Sequence, residues 1–153
     1  MTGRGLFAYG TLCADEIVDA LLGRSVEWSP AFLWGYRMGR VRSQAYPGIV
    51  PGRGEDRVEG RAYAALTHDD WRILDAYEGD EYERRSVTVD VVRGTGAISG
   101  EPGPGHTTHL DVYVFRECAA GPLTGQWRLE EFRRDHLADY VSFCRTFRRT
   151  MRD

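Results

Sequence analysis

Short apolar segments, most of them with alternating polar positions, recur along the chain, and a period of two is typical of β-strands. Sequences rich in glycine and proline, such as PGRG at 51–54, separate these segments and predict turns. The predicted strands lie at Leu6 to Tyr9, at 32–39, at Val58 to Leu66, at 87–92 and at Leu110 to Phe115. We therefore expect a chain in which short strands predominate.

Three other segments have the apolar spacing of amphipathic helices. Ala14 to Leu22 stops at Gly23, and Thr67 to Tyr77 begins with a threonine N-cap and an acidic first turn. A third helix is predicted from about Gln126 to Arg149, with arginines on its solvated face. Its apolar stripe consists of Leu129, Phe132, His136, Tyr140, Phe143, Cys144 and Phe147.

Strands and helices do not alternate regularly, which argues against a doubly wound parallel sheet. The predicted class is α+β, with a closed or nearly closed mixed sheet, flanking helices and an added C-terminal helix. A length of 153 residues suits one domain over 1–153. Dense glycine and proline at 94–109 predict a long loop between two strands.

Composition narrows the classes of function. The net charge of -3 disfavours binding to nucleic acid phosphates, and no apolar run approaches the length of a membrane helix. All 20 basic residues are arginine, which excludes Schiff-base and P-loop lysines. Three unclustered cysteines, Cys13, Cys118 and Cys144, indicate a reduced protein, and we expect a cytoplasmic one.

The first candidate site is the sequence FAYGTL at 7–12, where a predicted strand ends and a helix begins. Successive backbone N–H groups at such a junction can converge on an anion, and the following helix N-terminus adds positive potential. Gly10 would let a ligand approach the backbone closely. An ordinary strand-to-helix turn, which uses glycine and threonine for its geometry alone, explains the same residues.

The second candidate is Glu78, at the C-terminal end of its predicted helix. The helix dipole disfavours negative charge there, and several carboxylates lie nearby in sequence. If Glu78 is also partly buried, its pKa should rise, as a general base at neutral pH requires. The alternative is an acidic, solvated helix end.

Two further candidates carry less weight. Cys13 lies near a helix start, where a thiol pKa can fall, but no spacing supports a partner at His68, His106 or His136. A small packed cysteine is the favoured interpretation. His106 and His109 are three residues apart in a predicted loop without an evident third ligand, so we expect no metal site.

Together, several motifs resemble the γ-glutamylcyclotransferase-like family, which includes the plant AIG2-like proteins and the γ-glutamylamine cyclotransferases. Their order and spacing match over about residues 4–117, and the C-terminal helix is similar to the aromatic tails of AIG2-like members. The motifs are YGTL at 9–12, YPG at 46–48, VEGRAY at 58–63, LDAYE at 74–78, YER at 82–84 and VYV at 112–114.

The resemblance implies a small mixed β-barrel, with a core at 4–117 and the added helix at about 126–149. It also implies an enzyme that converts a γ-glutamyl amine or peptide into 5-oxoproline and the free amine. Glu78 would be the catalytic acid and base. Tyr9, Gly10, Thr11 and Leu12 would bind the substrate through backbone N–H groups, and Tyr113 is expected to line the pocket.

By the same resemblance, neither a cofactor nor a metal is needed. We expect a small γ-glutamyl substrate, no nucleic acid or membrane partner, and a monomer or homodimer. The alternative is a non-catalytic module on the same fold that binds a small carboxylate or a protein partner. A cysteine hydrolase using Cys13 is the weakest of the three hypotheses.

Overall fold

The computed structural model describes residues 4–64, 66–92, 106–117 and 122–152, which contain seven strands and four α-helices. The strands are β1 Leu6–Ala8, β2 Trp28–Trp34, β3 Tyr36–Arg40, β4 Pro47–Pro51, β5 Arg57–Tyr63, β6 Tyr82–Val91 and β7 His106–Phe115. The helices are α1 Asp15–Leu22, α2 His68–Glu78, α3 Leu129–Asp135 and α4 Leu137–Arg152. Single turns of 3-10 helix follow β1 at Thr11–Cys13 and α2 at Gly79–Glu81.

Five strands close into a barrel in the order β1-β5-β2-β6-β7, and β7 returns to β1. Four of the pairs are antiparallel, whereas β1 and β7 are parallel, with Leu6 opposite Asp111. Strands β3 and β4 form a separate antiparallel sheet. The predicted α+β class and mixed barrel with flanking helices are therefore confirmed.

Alternation along the strands divides the core in two. Phe7, Val112 and Val114 belong to the cluster that fills the barrel interior. Their neighbours Leu6 and Tyr113 point outward into a second cluster, which the barrel shares with the helices. The helices are thus fixed against the outside of the barrel by apolar burial.

The first two predicted helices are confirmed, and their ends have local causes. Helix α1 ends at Gly23, whose φ of 76° is left-handed and favours glycine. Helix α2 starts with a capping box, in which Thr67 and Asp70 each accept a hydrogen bond from the other's backbone N–H. Gly79, with φ 70°, ends α2 directly after Glu78.

The strand prediction needs two corrections. Residues 32–39 are not one strand, because the chain turns at Gly35, with φ 84°, and passes from the barrel into the small sheet. Strand β4 was missed because proline at both of its ends indicates a turn in sequence. In the structure, β4 pairs along its whole length with β3.

The predicted loop at 94–109 is wrong at its end, because His106–His109 belongs to β7 and pairs with β6. Pairing with a long neighbouring strand overrides the weak local signal at these positions. Residues 94–105 of that prediction, and Cys118, lie outside the described residues.

The third helix is not continuous. The backbone leaves helical geometry at His136, with φ -133° and ψ -14°, which separates α3 from α4. In a straight helix, positions 132 and 144 would face about 120° apart. The break lets both Phe132 and Cys144 be buried, whereas Phe143 of the predicted apolar stripe is exposed. Among the described residues, no helix is both long and apolar enough to cross a membrane.

Candidate functional site

A cavity of about 450 Å³ opens where the end of β1, the start of β4, the end of α2 and helix α4 meet. Its lining brings together residues that are far apart in sequence. All of the predicted site residues line it: Tyr9, Gly10, Thr11, Leu12, Glu78 and Tyr113. The two candidate motifs therefore line one cavity.

The YGTL loop, residues 9–12, is held from three directions. The Tyr9 hydroxyl donates to the carbonyl of Tyr113 at 2.6 Å, and the Thr11 and Tyr77 hydroxyls are 3.1 Å apart. The Tyr63 hydroxyl donates to the carbonyl of Leu12 at 2.6 Å. The loop thus has a fixed shape before any ligand arrives, as an efficient binding site requires.

The loop also contains the start of a 3-10 turn, and its four residues line the cavity. Thr11 and Leu12 are the first residues of a 3-10 turn, and the first N–H groups of a helical turn have no acceptor within the turn. Such groups suit a carboxylate or a developing oxyanion. Gly10 precedes them, and a Cβ atom there would lie 2.9 Å from Cγ of Pro47. Glycine is therefore required by the close approach of β4.

Replacing Gly10 with alanine is expected to lower the free energy of unfolding by about 1–3 kcal/mol, because the new methyl group must displace Pro47 or the loop. Urea unfolding measures the change. Gly54→Ala is the matched control, since a Cβ there meets nothing within 4 Å. A Gly10→Ala protein as stable as the wild type would show that Pro47 yields without cost.

Glu78 is the last residue of α2 and is partly buried at the wall of the cavity. Burial, followed by the charges of Glu81 and Asp75, raises its pKa from 4.5 to about 8. The helix C-terminus acts in the same direction. A carboxyl group with this pKa both accepts and returns a proton near neutral pH.

Several tyrosine side chains also line the cavity. Burial, with the nearby charge of Glu78, raises the pKa of Tyr9, Tyr77 and Tyr82 well above the ordinary value of 10. These hydroxyls therefore remain neutral. The Tyr82 hydroxyl donates to the carbonyl of Pro47 at 2.6 Å, which fixes β4 at the cavity.

Tyr113 lines the cavity with its ring, while its hydroxyl donates to the carboxylate of Asp75 at 2.8 Å. Arg84 bridges the same Asp75 and the buried Asp111, at 3.4 Å and 3.5 Å, and its guanidinium lies over the ring of Trp71. This network ties the last turns of α2 to β6 and β7. It therefore positions the end of the helix that carries Glu78.

Neither Cys13 nor His109, from the two weaker candidates, lines the cavity. Cys13 is buried, its thiol lies 3.3 Å from the carbonyl of Ala8, and burial raises its pKa to about 12. A packed cysteine was the favoured interpretation. His109 lies 3.1 Å from the Thr88 hydroxyl. Within the described ranges, no group of three His, Cys, Asp or Glu residues is arranged to hold a metal ion.

Sequence reasoning missed part of the lining. Tyr46, Pro47 and Tyr82 lie in motifs of the resemblance but were not predicted as site residues. Helix α4 adds three more, and only the packing of α4 against α1 and α2 brings them to the cavity. These three residues are Asp139, Tyr140 and Phe143.

Comparisons with known proteins identify the family of the chain. The sequence profile described as "Gamma-glutamyl cyclotransferase, AIG2-like" matches residues 6–129. AIG2-like protein A of Arabidopsis thaliana is 31% identical over 95% of this chain and 80% of its own length.

Solved structures show the same fold. The solution structure of an Arabidopsis thaliana protein covers 92% of this chain and 87% of its own, at 26% identity and a TM-score of 0.65. A structure named gamma-glutamyl cyclotransferase covers 74% of this chain and 66% of its own, at 18% identity and a TM-score of 0.58. The second likeness concerns the fold alone.

Proposed function

Since the chain belongs to the gamma-glutamyl cyclotransferase, AIG2-like family, we propose that it converts a γ-glutamyl amine or γ-glutamyl peptide into 5-oxoproline and the free amine. The observation that carries the proposal is Glu78. Its carboxyl group, with a pKa of about 8, shares one cavity with the YGTL loop.

The reaction needs one group that moves a proton between two nitrogens. In the proposed mechanism, Glu78 takes a proton from the α-ammonium group of the substrate. The freed amine attacks the γ-carbonyl carbon and forms the C–N bond of the five-membered ring. The bond from that carbon to the leaving nitrogen then breaks as Glu78 returns its proton to that nitrogen. Glu78 next takes the second proton from the ring nitrogen and passes it to the released amine, which leaves as an ammonium ion.

The loop at 9–12 would hold the glutamyl portion. Its backbone N–H groups suit the α-carboxylate of the substrate or the oxyanion formed on the γ-carbonyl oxygen. Because the attack is intramolecular, holding the substrate in its ring-closing shape supplies much of the rate enhancement. The fixed loop and the apolar cavity wall favour such a shape over extended ones.

The proposal is tested by 5-oxoproline release from a panel of γ-glutamyl amines, γ-glutamyl amino acids and glutathione. We expect release that increases with pH, with an apparent pKa near 8 in kcat/KM, as Glu78 loses its proton. Glu81→Gln should move this pKa to lower pH, because the charge of Glu81 helps to raise it.

Absence of 5-oxoproline across the panel would contradict the enzymatic proposal. Thermal shifts would then identify a binding module, since a ligand that binds only the folded state raises Tm. Release with an unchanged pH profile in Glu81→Gln would leave the reaction standing and contradict the assigned cause of the raised pKa.

A further inference from the structure

The charged side chains that line the cavity all have the same sign. Glu78, Glu81 and Asp139 are acidic, and no arginine or histidine of the described ranges lines it. Each carboxylate would repel a second carboxylate on a bound substrate and attract an ammonium group. This distribution bears on the leaving group of the proposed reaction, because the glutamyl carboxylate is common to all γ-glutamyl substrates.

The three carboxyl groups differ in their availability. Glu78 is assigned to proton transfer, and Glu81 accepts a hydrogen bond from the Tyr46 hydroxyl at 2.6 Å. Asp139 lies in the first turn of α4 and is exposed, with no hydrogen bond or ion pair to another described residue. It is therefore the carboxylate that a substrate group can meet directly.

Aromatic rings accompany Asp139 at the cavity. Tyr140 and Phe143, from the same helix, line it beside Tyr46 and Tyr82. Faces of aromatic rings attract ammonium groups and gain little from carboxylates. The wall formed by α4 thus combines a free carboxylate with rings, whereas the loop at 9–12 offers N–H donors to the glutamyl carboxylate.

On the basis of the proposed function, we propose that Asp139 is a specificity-determining residue that selects leaving groups with a positive charge and no carboxylate. The substrate class is then a mono-γ-glutamyl derivative of an alkyl diamine. The γ-glutamyl portion lies against the YGTL loop, and the free ammonium end of the diamine lies against Asp139 and the rings of α4.

Three γ-glutamyl amides of similar length and different charge test the inference. The amines are 1,4-diaminobutane, pentylamine and 4-aminobutyrate, which leave a cationic, a neutral and an anionic end. We expect kcat/KM for 5-oxoproline release to fall in that order, by about three- to tenfold per step for a solvent-accessible charge pair. Added salt should reduce the differences.

Asp139→Asn keeps the shape of the side chain and removes its charge. We expect it to lower the ratio of kcat/KM for the cationic amide to kcat/KM for the neutral amide by about three- to tenfold. Asp19→Asn is the control, since Asp19 is an exposed aspartate on α1 that does not line the cavity. It should leave all ratios unchanged.

The measurements distinguish a failure of the proposed function from a failure of the inference about the leaving group. If none of the three amides releases 5-oxoproline, the proposed function fails and this inference falls with it. If the neutral or anionic amide is used as well as the cationic one, the enzyme stands and the inference is wrong. An unaltered ratio in Asp139→Asn also overturns it.

Discussion

Replacing Glu78 with glutamine is expected to lower kcat for 5-oxoproline release by about 10²- to 10⁴-fold, the usual contribution of a general acid–base group. Glutamine has nearly the same shape and can neither take a proton from the α-ammonium group nor return one to the leaving nitrogen. The KM should change by only a few-fold, because the loop at 9–12 is assigned to binding. Steady-state kinetics at the pH optimum measure both constants.

Asp80→Asn is the matched control for Glu78→Gln. Asp80 is an exposed carboxylate two residues along the chain, in the 3-10 turn that follows α2, and it does not line the cavity. Its replacement should leave kcat within about twofold. If Glu78→Gln retained near-normal turnover with the wild-type pH profile, the mechanism proposed here would be wrong.

The raised pKa of Glu78 also affects stability. Because its pKa is about 8 when folded and 4.5 ordinarily, the wild type loses stability as pH rises from below 4.5 to above 8. Each pKa unit is worth about 1.4 kcal/mol, so partial solvent access leaves an effect on the order of 3 kcal/mol. The stability of Glu78→Gln relative to that of the wild type should therefore increase as the pH is raised from about 6 to about 9.

Thermal unfolding of Glu78→Gln and of the wild type, at about pH 6 and about pH 9, measures the effect of Glu78 on stability separately from its effect on catalysis. A loss of activity without a pH-dependent change in relative Tm would mean that Glu78 is catalytic but has an ordinary pKa. The Asp80→Asn control should follow the wild type at both pH values.

The structure explains why the motifs away from Glu78 were informative in sequence. In VEGRAY, a Cβ on Gly60 would lie 2.1 Å from the carbonyl oxygen of Ala8, so glycine lets β5 approach β1. Tyr63, at the end of the same motif, holds the carbonyl of Leu12. The motif therefore shapes the YGTL loop from the neighbouring strand.

Local patterns predicted most of the barrel because its strands bury alternate residues on one side or the other, as Phe7 and Leu6 do. The two ends of helix α2 could be predicted from local sequence, because Thr67 caps its start and Gly79 ends it. The two candidate loops could be recognised singly. Their meeting in one cavity depends on how the strands and helices pack together. No local pattern at these residues indicates that packing, whereas the family resemblance implied a common site.

Tertiary contacts determine the three features that the sequence did not predict. Strand β4 has proline at both ends and exists because β3 lies beside it. The break at His136 serves the burial of Phe132 and Cys144 against the remaining core. In sequence, Asp139 is an ordinary acidic residue of a helix first turn. It reaches the cavity only because α4 packs against α1 and α2.

Phe132→Ala is expected to have the largest effect on stability, a loss of about 3–5 kcal/mol in the free energy of unfolding. The side chain is 1% exposed, and its ring packs edge-to-face against that of Tyr140, with the ring centroids 4.9 Å apart. The ring of Trp127 is tilted against it, at a centroid distance of 5.9 Å. Truncation leaves a cavity under the junction of α3 and α4. Urea unfolding measures the loss.

Phe143→Ala supplies the control for Phe132→Ala, because it removes the same side chain from the same C-terminal segment at a position that is 55% exposed. Its stability should change by about 0.5 kcal/mol or less. Phe143 lines the cavity, so its loss should act on the KM of the substrate. Equal destabilisation by both variants would mean that Phe132 does not stabilise the core that the helices share with the outside of the barrel. The large difference expected instead would show that the C-terminal helices are part of the folded unit that forms the site.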